Sequence, residues 1–392
     1  MQGFEYYTPT KVVFGKETEN QAGALVKEFK GTKVLVHYGT GSVKRSGLLD
    51  RVLASLDQAG IPHVELGGAV PNPRLSLVYE GIELCRKEGV DFILAVGGGS
   101  AIDSAKAIAY GVKDEGDVWD FYAKIRVPQD ALPVGVVLTL AATGSEMSNS
   151  SVITNEDGWL KRGCNCDLSR PRFAIMNPEL TYTLPPYQTA CGCVDILMHT
   201  MERYFTTDKN TGLTDEISEA LMRTVLHNAK IVIDQPYDYT ARAEIMWAGS
   251  LAHNGLTGCG RTGDWASHQL EHELSGMFDV AHGAGLAAIW SSWARYVYQA
   301  DAERFARFAV QVMGISEQSQ TREELALEGI SAMERFYHQI GMPVSVSELG
   351  ILLTEEQCRQ LAYHCSFEGT RSIGGFRTLN QSDMEQIYKS AR

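Results

Sequence analysis

The sequence has no long hydrophobic run. Its most apolar stretches, such as PVGVVLTLAA at 133–142, are far too short to cross a bilayer. It also lacks an excess of basic charge: with a formal net charge of -13, neither nucleic acid nor an anionic membrane surface is expected as a partner. The opening segment MQGFEYYTPTKVVFG has no basic stretch leading into an apolar core, so no secretory signal is expected and a soluble, cytoplasmic protein is. Cysteine is sparse, with eight in 392 residues, which excludes a disulfide scaffold and predicts free thiols in a reducing compartment. The close pairs Cys164/Cys166 and Cys191/Cys193 have one intervening residue, not the two to four usual at zinc, and read as ordinary thiols before they read as a metal clip. Low-complexity tracts and internal repeats are absent.

What is present is an ordinary globular composition, 44% hydrophobic and 21% charged, in a chain too long for one core; two domains are expected. From residue 33 to about 180, short β-branched runs alternate with amphipathic stretches. The strand candidates are 33–39, 62–68, 91–99, 132–140 and 172–178, with helical patterns at 42–60 and 74–89 that each end at a glycine suited to a helix C-terminus. This alternation implies a mostly parallel sheet covered on both faces. After Leu184-Pro185-Pro186 the strand signals stop, and long helical patterns follow at 214–234, 241–256 and 301–342. The boundary is placed at 184, giving an α/β domain over 1–184 and an all-helical domain over 185–392.

The third strand candidate runs into Gly97-Gly98-Gly99-Ser100 and a helical pattern. Glycines allow close backbone approach to a ligand, and the free N–H groups of a helix start can hold a phosphate, although such turns also occur without one. Ser100 and Asp103 have the spacing of a capping box. The first strand ends in HYGTGS, where NAD-selecting folds tend to carry an acid for the ribose 2′-hydroxyl. Gly39 stands there instead, followed by Ser42, Lys44 and Arg45, which would accept a 2′-phosphate or simply form a solvated helix start.

In the helical half, Asp195 and His199 lie four residues apart in the otherwise apolar GCVDILMH, and therefore on one helix face. His268 and His272 repeat that spacing in DWASHQLEHELSG, and His282 follows in DVAHGAGLA. Burying such groups is unfavourable unless something binds them. Three imidazoles and one carboxylate form a mixed N/O donor set suited to Fe(II) or Zn(II) and to polarising a substrate oxygen. A competing pattern, His268-x-x-Glu271-His272, is that of inverted zinc peptidases and would make the protein a metallohydrolase.

Taken together, GGGSAIDSAK at 97–106, LTLAATGSEMSNSSVITN at 138–155, the DILMH helix, the DWASHQLEHELSG helix and the HGAGLA turn span essentially the whole chain. The sequence resembles the iron-containing (group III) alcohol dehydrogenases, in the NADPH-preferring butanol dehydrogenase and broad-range aldehyde reductase branch. The resemblance implies a Rossmann-like α/β domain and a helical domain in a dehydroquinate synthase-like architecture, with a metal in the cleft separating them and a homodimer. It implies Asp195, His199, His268 and His282 as ligands of Fe(II) or Zn(II), with His272 as the non-ligand histidine near the nicotinamide and substrate. It assigns Gly98, Gly99 and Ser100, with Asp103 in the same segment, to the pyrophosphate turn of NADP(H). Thr139 and Thr143 match residues lining the nicotinamide side, Lys161 one near the cofactor ribose, and Asn72 a loop over the cofactor. Gly39 matches the position where NAD-preferring relatives carry Asp, with Ser42 in the same cofactor-binding segment, and NADH preference is the alternative. The activity implied is interconversion of primary alcohols, such as butanol, and aldehydes by hydride transfer. Two departures stand out: Ala142 where the family commonly has glycine, and Glu271, a charge the family pattern does not require.

Overall fold

The aliphatic runs that carry no polar face become the interior strands of a parallel sheet. The computed structural model describes residues 1–317 and 320–392. Eight strands occur among them: β1 (Lys11–Phe14), β2 (Val34–Gly39), β3 (His63–Ala69), β4 (Phe92–Gly97), β5 (Val134–Leu138), β6 (Ser150–Asn155), β7 (Leu160–Asn165) and β8 (Phe173–Met176). Six form one sheet in the order β1-β8-β5-β4-β2-β3, every neighbouring pair parallel, while β6 and β7 make a separate antiparallel hairpin. The helices of this unit are α1 (Ala22–Glu28), α2 (Ser42–Arg45), α3 (Leu48–Gln58), α4 (Leu75–Glu88), α5 (Gly99–Val112) and α6 (Trp119–Tyr122).

Alternation along β2 shows how the sheet is covered. Val34, Val36 and Tyr38 pack with Leu25 and Val26 of α1 and with Val52 and Leu56 of α3. His37, on the opposite face, reaches α5, where Ser104 Oγ lies 2.9 Å from its Nε2. Both faces are therefore buried, which is why these strands read as continuous apolar runs. The chain leaves β2 for β3 on one side and returns to β4 on the other, so the strand order reverses between β2 and β4. In open α/β sheets the carboxyl ends of strands at such a reversal form the usual ligand crevice.

All five expected strands are present. Among the elements of this unit, two features differ from the pattern reading. The helix expected over 42–60 is two helices, because Gly47 takes a left-handed φ of 67° and separates α2 from α3. Strand β1 and the β6–β7 hairpin were not anticipated: β7, LKRGCN, has neither alternation nor an apolar run, and is held as a strand by pairing with β6.

From Pro186 onward the elements are helical: α7 (Pro186–Tyr204), α8 (Gly212–Asp234), α9 (Tyr239–His253), α10 (Ala266–Phe278), α11 (His282–Val297), α12 (Ala302–Gln311), α13 (Arg322–Gln339), α14 (Glu355–Cys365) and α15 (Gln381–Ser390). Their core includes an aromatic cluster in which Phe205 stacks on Phe305 at 4.2 Å between centroids, with Trp293, Phe308 and Phe376 around it. The chain forms two compact units, Tyr7–Leu184 and Pro185–Arg392, the latter including Met1–Tyr6. The first six residues thus leave the domain expected over 1–184. The cause is local: Gln2 N–H donates to Gly260 O at 2.9 Å, and Gln2 Nε2 bonds Asp208 and Thr262. Among the described residues no helix is long and apolar enough to cross a membrane, and the eight cysteines are free.

Candidate active site

Helix α7 opens at Pro186, a position where the missing N–H leaves no helical bond unmade. One helical turn separates Asp195 from His199, and both are buried. Helix α10 supplies His268, and the first residue of α11 is His282. Glycine at 283 lets α11 approach that closely: a Cβ there would lie 2.1 Å from Cys191 O on α7. The backbones of the two helices meet at the end that carries the polar groups.

Three imidazole nitrogens converge on one carboxylate oxygen. His199 Nδ1 is 3.4 Å, His282 Nε2 3.6 Å and His268 Nε2 3.8 Å from Asp195 Oδ1. Asp195 Oδ1, His199 Nδ1 and His268 Nε2 are all buried without a hydrogen-bond partner. Orphaned polar atoms of this kind are strongly disfavoured unless a ligand meets them. Donors bound at 2.0–2.2 Å around a tetrahedral ion stand roughly 3.4 Å apart, close to the distances of the three imidazoles from Asp195 Oδ1. The donor set and its geometry fit a divalent cation. Asp195, His268 and His282 form a group in which one donor atom from each lies within 4.8 Å of the others; His199 completes the set through its contact with Asp195.

The electrostatics agree. Burial, reinforced by His253 and His268, holds His199 far below the usual imidazole range, as a neutral donor. Burial also opposes charge on His268, but the Asp195 and Glu202 carboxylates outweigh it and lift its pKa to about 9, so this point in the fold favours a positive charge.

His272 lies one turn beyond His268, with its ring 6.4 Å from that of His268 and 5.7 Å from that of His282. The hydrolase pattern would need His268 and His272 as joint ligands and Glu271 as a solvent-facing base. Instead His268 faces Asp195 while His272 groups with Glu271 and His282. Glu271 is fully buried and its two oxygens are taken by His282 Nδ1 and Ser275 Oγ. That alternative has no general base to work with.

In the α/β unit, Gly97 ends β4 and Gly98 precedes α5 in extended conformation. No side chain caps α5, so the capping box expected for Ser100 and Asp103 is not formed. Asp103 is occupied elsewhere: Oδ1 accepts from Ser145 Oγ at 2.6 Å and Oδ2 from Val152 N–H at 3.0 Å, tying α5 to β6. The turn is nonetheless built for close approach. A Cβ at Gly98 would stand 3.0 Å from Leu140 Cβ, and one at Gly99 only 2.4 Å from Thr143 Cγ2. Gly98, Gly99 and Ser100 are thereby set beside Thr139 and Thr143, which follow β5, and Thr139 N–H donates to Gly97 O at 3.0 Å. Gly39 closes β2 across the sheet reversal, and Ser42 starts α2. Asn72 is buried with a left-handed φ of 53°, and its carbonyl accepts from Arg74 Nη1 at 2.8 Å. The next residue of that loop, Pro73, accepts from Thr154 N–H at 2.8 Å, and Thr154 faces Lys161 across the hairpin. The structure therefore joins the loop of Asn72 to the strand of Lys161, two segments nearly ninety residues apart in sequence.

Sequence reasoning missed three neighbours of this donor cluster. Glu202, three residues after His199, accepts from both the backbone N–H and Nδ1 of His268, at 2.8 and 2.9 Å. His253 lies with its ring 3.9 Å from that of His199. Trp265 precedes α10 at a left-handed φ of 64°, a strained conformation for a bulky residue, and its ring contacts His199, His253 and His268. Only Glu202 had a readable signal, as a carboxylate on the same helix as two donors.

Comparison with known proteins accords with this geometry. Residues 9–178 match the family "Iron-containing alcohol dehydrogenase" and residues 189–392 "Fe-containing alcohol dehydrogenase family, C-terminal". The chain belongs to the iron-containing alcohol dehydrogenase family, and is an oxidoreductase of that class. It is 41% identical to the probable NADH-dependent butanol dehydrogenase 1 of Bacillus subtilis and 34% identical to the NADPH-dependent aldehyde reductase YqhD of Escherichia coli, each over the full length of both chains. The solved structure of NADH-dependent butanol dehydrogenase A from Thermotoga maritima superposes with a TM-score of 0.96 at 39% identity, covering 100% of this chain and 99% of that one.

Proposed function

We propose that this protein is an NADP(H)-dependent alcohol dehydrogenase and aldehyde reductase that interconverts primary alcohols, such as butanol, with their aldehydes. The observation that carries the reading is the convergence of three imidazole nitrogens on the orphaned Asp195 Oδ1, in a chain that belongs to this family. Asp195, His199, His268 and His282 hold Fe(II) or Zn(II). A divalent ion held there would draw electron density from a carbonyl oxygen and stabilise negative charge on it, and a reduced nicotinamide would supply the hydride. His272, partly buried beside the cluster, exchanges the proton of the substrate oxygen at an imidazole nitrogen. Gly98, Gly99 and Ser100 offer uncapped backbone N–H groups to a pyrophosphate, flanked by Thr139 and Thr143, with Asn72 and Lys161 on the joined loop and hairpin. Asp103 acts through the turn by holding Ser145 and Val152 in place.

The preference for NADP(H) is supported by the end of β2, where Gly39, Thr40, Gly41 and Ser42 present no carboxylate to repel a 2′-phosphate. Lys44 follows, with its ammonium 5.0 Å from the Tyr38 ring. The second reading, NADH preference, is favoured by the name of the Bacillus subtilis relative. Free cysteines throughout fit a reducing, cytoplasmic compartment, and the family resemblance supports a homodimer, which sedimentation would test.

The test is butanal-dependent oxidation of NADPH and NADH, before and after chelation and readdition of Fe(II) or Zn(II). Activity that is lost with the metal, returns with one ion and is greater with NADPH supports the proposal. Higher kcat/KM with NADH transfers it to the second reading, and no turnover with either cofactor under any metal overturns it.

A further inference from the structure

Two of the converging imidazoles are gripped from behind by buried glutamates. His268 Nδ1 lies 2.9 Å from Glu202 Oε1 while its Nε2 faces Asp195. His282 Nδ1 is bonded to Glu271 Oε2 while its Nε2 faces Asp195. A carboxylate acceptor at Nδ1 requires the proton there, so that in the neutral imidazole the Nε2 lone pair is directed at the cluster. Glu202 is held on its own helix, one turn from His199, so its place follows from α7. Glu271 needs a separate provision, and the sequence contains one. Gly285 lies within α11, where the helix does not require glycine, and a Cβ at that position would stand 2.9 Å from both Cγ and Oε1 of Glu271. The missing side chain is the space the carboxylate occupies.

We propose that Glu202 and Glu271 are positioning residues of the metal centre, and that Gly285 is the steric condition for Glu271. The inference rests on the metal-binding reading above and adds to it the source of the site's affinity. Each glutamate fixes tautomer and orientation of one ligand imidazole and makes it a stronger donor.

The experiment uses the full chain stripped of metal, titrated with Zn(II) against a chromophoric chelator, then loaded with Co(II) for its visible absorption spectrum. Wild type, Glu202→Gln, Glu271→Gln and Gly285→Ala are compared, with helix content measured by circular dichroism. The expected result is zinc binding weakened by roughly 10–100-fold in each variant, with shifted cobalt bands and unchanged helix content. Gly285→Ala keeps Glu271 in the chain and displaces its side chain from Cγ outward, so it tests the contact if Glu271→Gln does not fold. Variants that bind zinc as wild type does, with the same cobalt spectrum, overturn this inference and leave the metal reading standing. A wild type that binds neither ion overturns the metal reading, and this inference with it.

Discussion

At the scale of single residues, the proposed function divides the groups around Asp195 into those that would hold the metal and one that would exchange a proton. Asp195→Asn and His268→Ala remove donors, so both metal content and aldehyde reduction should be lost; a fully active His268→Ala enzyme would refute the ligand set. His272→Ala should lower turnover by roughly 10²-fold or more while elemental analysis finds the metal unchanged. Loss of metal in that variant would make His272 a ligand. A different residue couples the stability of the fold to pH. Burial holds the pKa of His37 down at about 4 against a usual 6.5, with its bond to Leu66 O opposing the shift. Because Leu66 O can only accept, the proton sits on Nδ1, and Nε2 accepts from Ser104. The unfolded chain therefore takes up a proton that the folded chain refuses as pH falls from 6.5 towards 4, and about 3 kcal/mol of stability is lost across that window. Urea unfolding as a function of pH should show this slope, and His37→Gln should flatten it. An unchanged slope would assign the pH dependence elsewhere.

At the scale of elements, glycines decide how closely backbones meet. In Gly283→Ala the new methyl meets Cys191 O, so α11 must move off α7 and take His282 from Asp195. A destabilisation of about 1–3 kcal/mol in thermal unfolding and loss of bound metal are expected together. If the metal stays while stability falls, the close approach serves packing alone. In Gly99→Ala the methyl meets Thr143, and cofactor affinity should fall roughly tenfold by fluorescence titration with metal content intact. Unaltered affinity would take the turn out of cofactor binding. The elements themselves were unevenly legible. Strands β4 and β5 are buried on both faces and so appear as uninterrupted apolar runs, and β2 is apolar but for His37. Strand β7 is polar and exists through its partner, so no pattern within LKRGCN announces it. The break at Gly47 was hidden because a glycine inside a helical pattern reads equally as a tolerated weak point.

At the scale of the whole molecule, a ligand that binds only the folded state raises the free energy of unfolding. Zinc at about a hundred times its Kd should add about 2.7 kcal/mol and raise Tm, chelation should reverse this, and Asp195→Asn should abolish it. A chelator-insensitive Tm in wild type would contradict a bound metal. The sequence by itself determined the alternation of strands and helices, the switch to helices after Leu184-Pro185-Pro186, the glycine turn and the spacing of Asp195 and His199. Those are local properties, written in periodicity and in residues a few positions apart. Only the tertiary structure decided that Asp103 is spent on Ser145 and Val152, that Met1–Tyr6 belongs with the helical unit, and that Glu271 holds His282 in place of activating water. Each of those outcomes depends on which distant backbone or side chain reaches a polar group first, and the spacing of residues along a chain does not encode that competition.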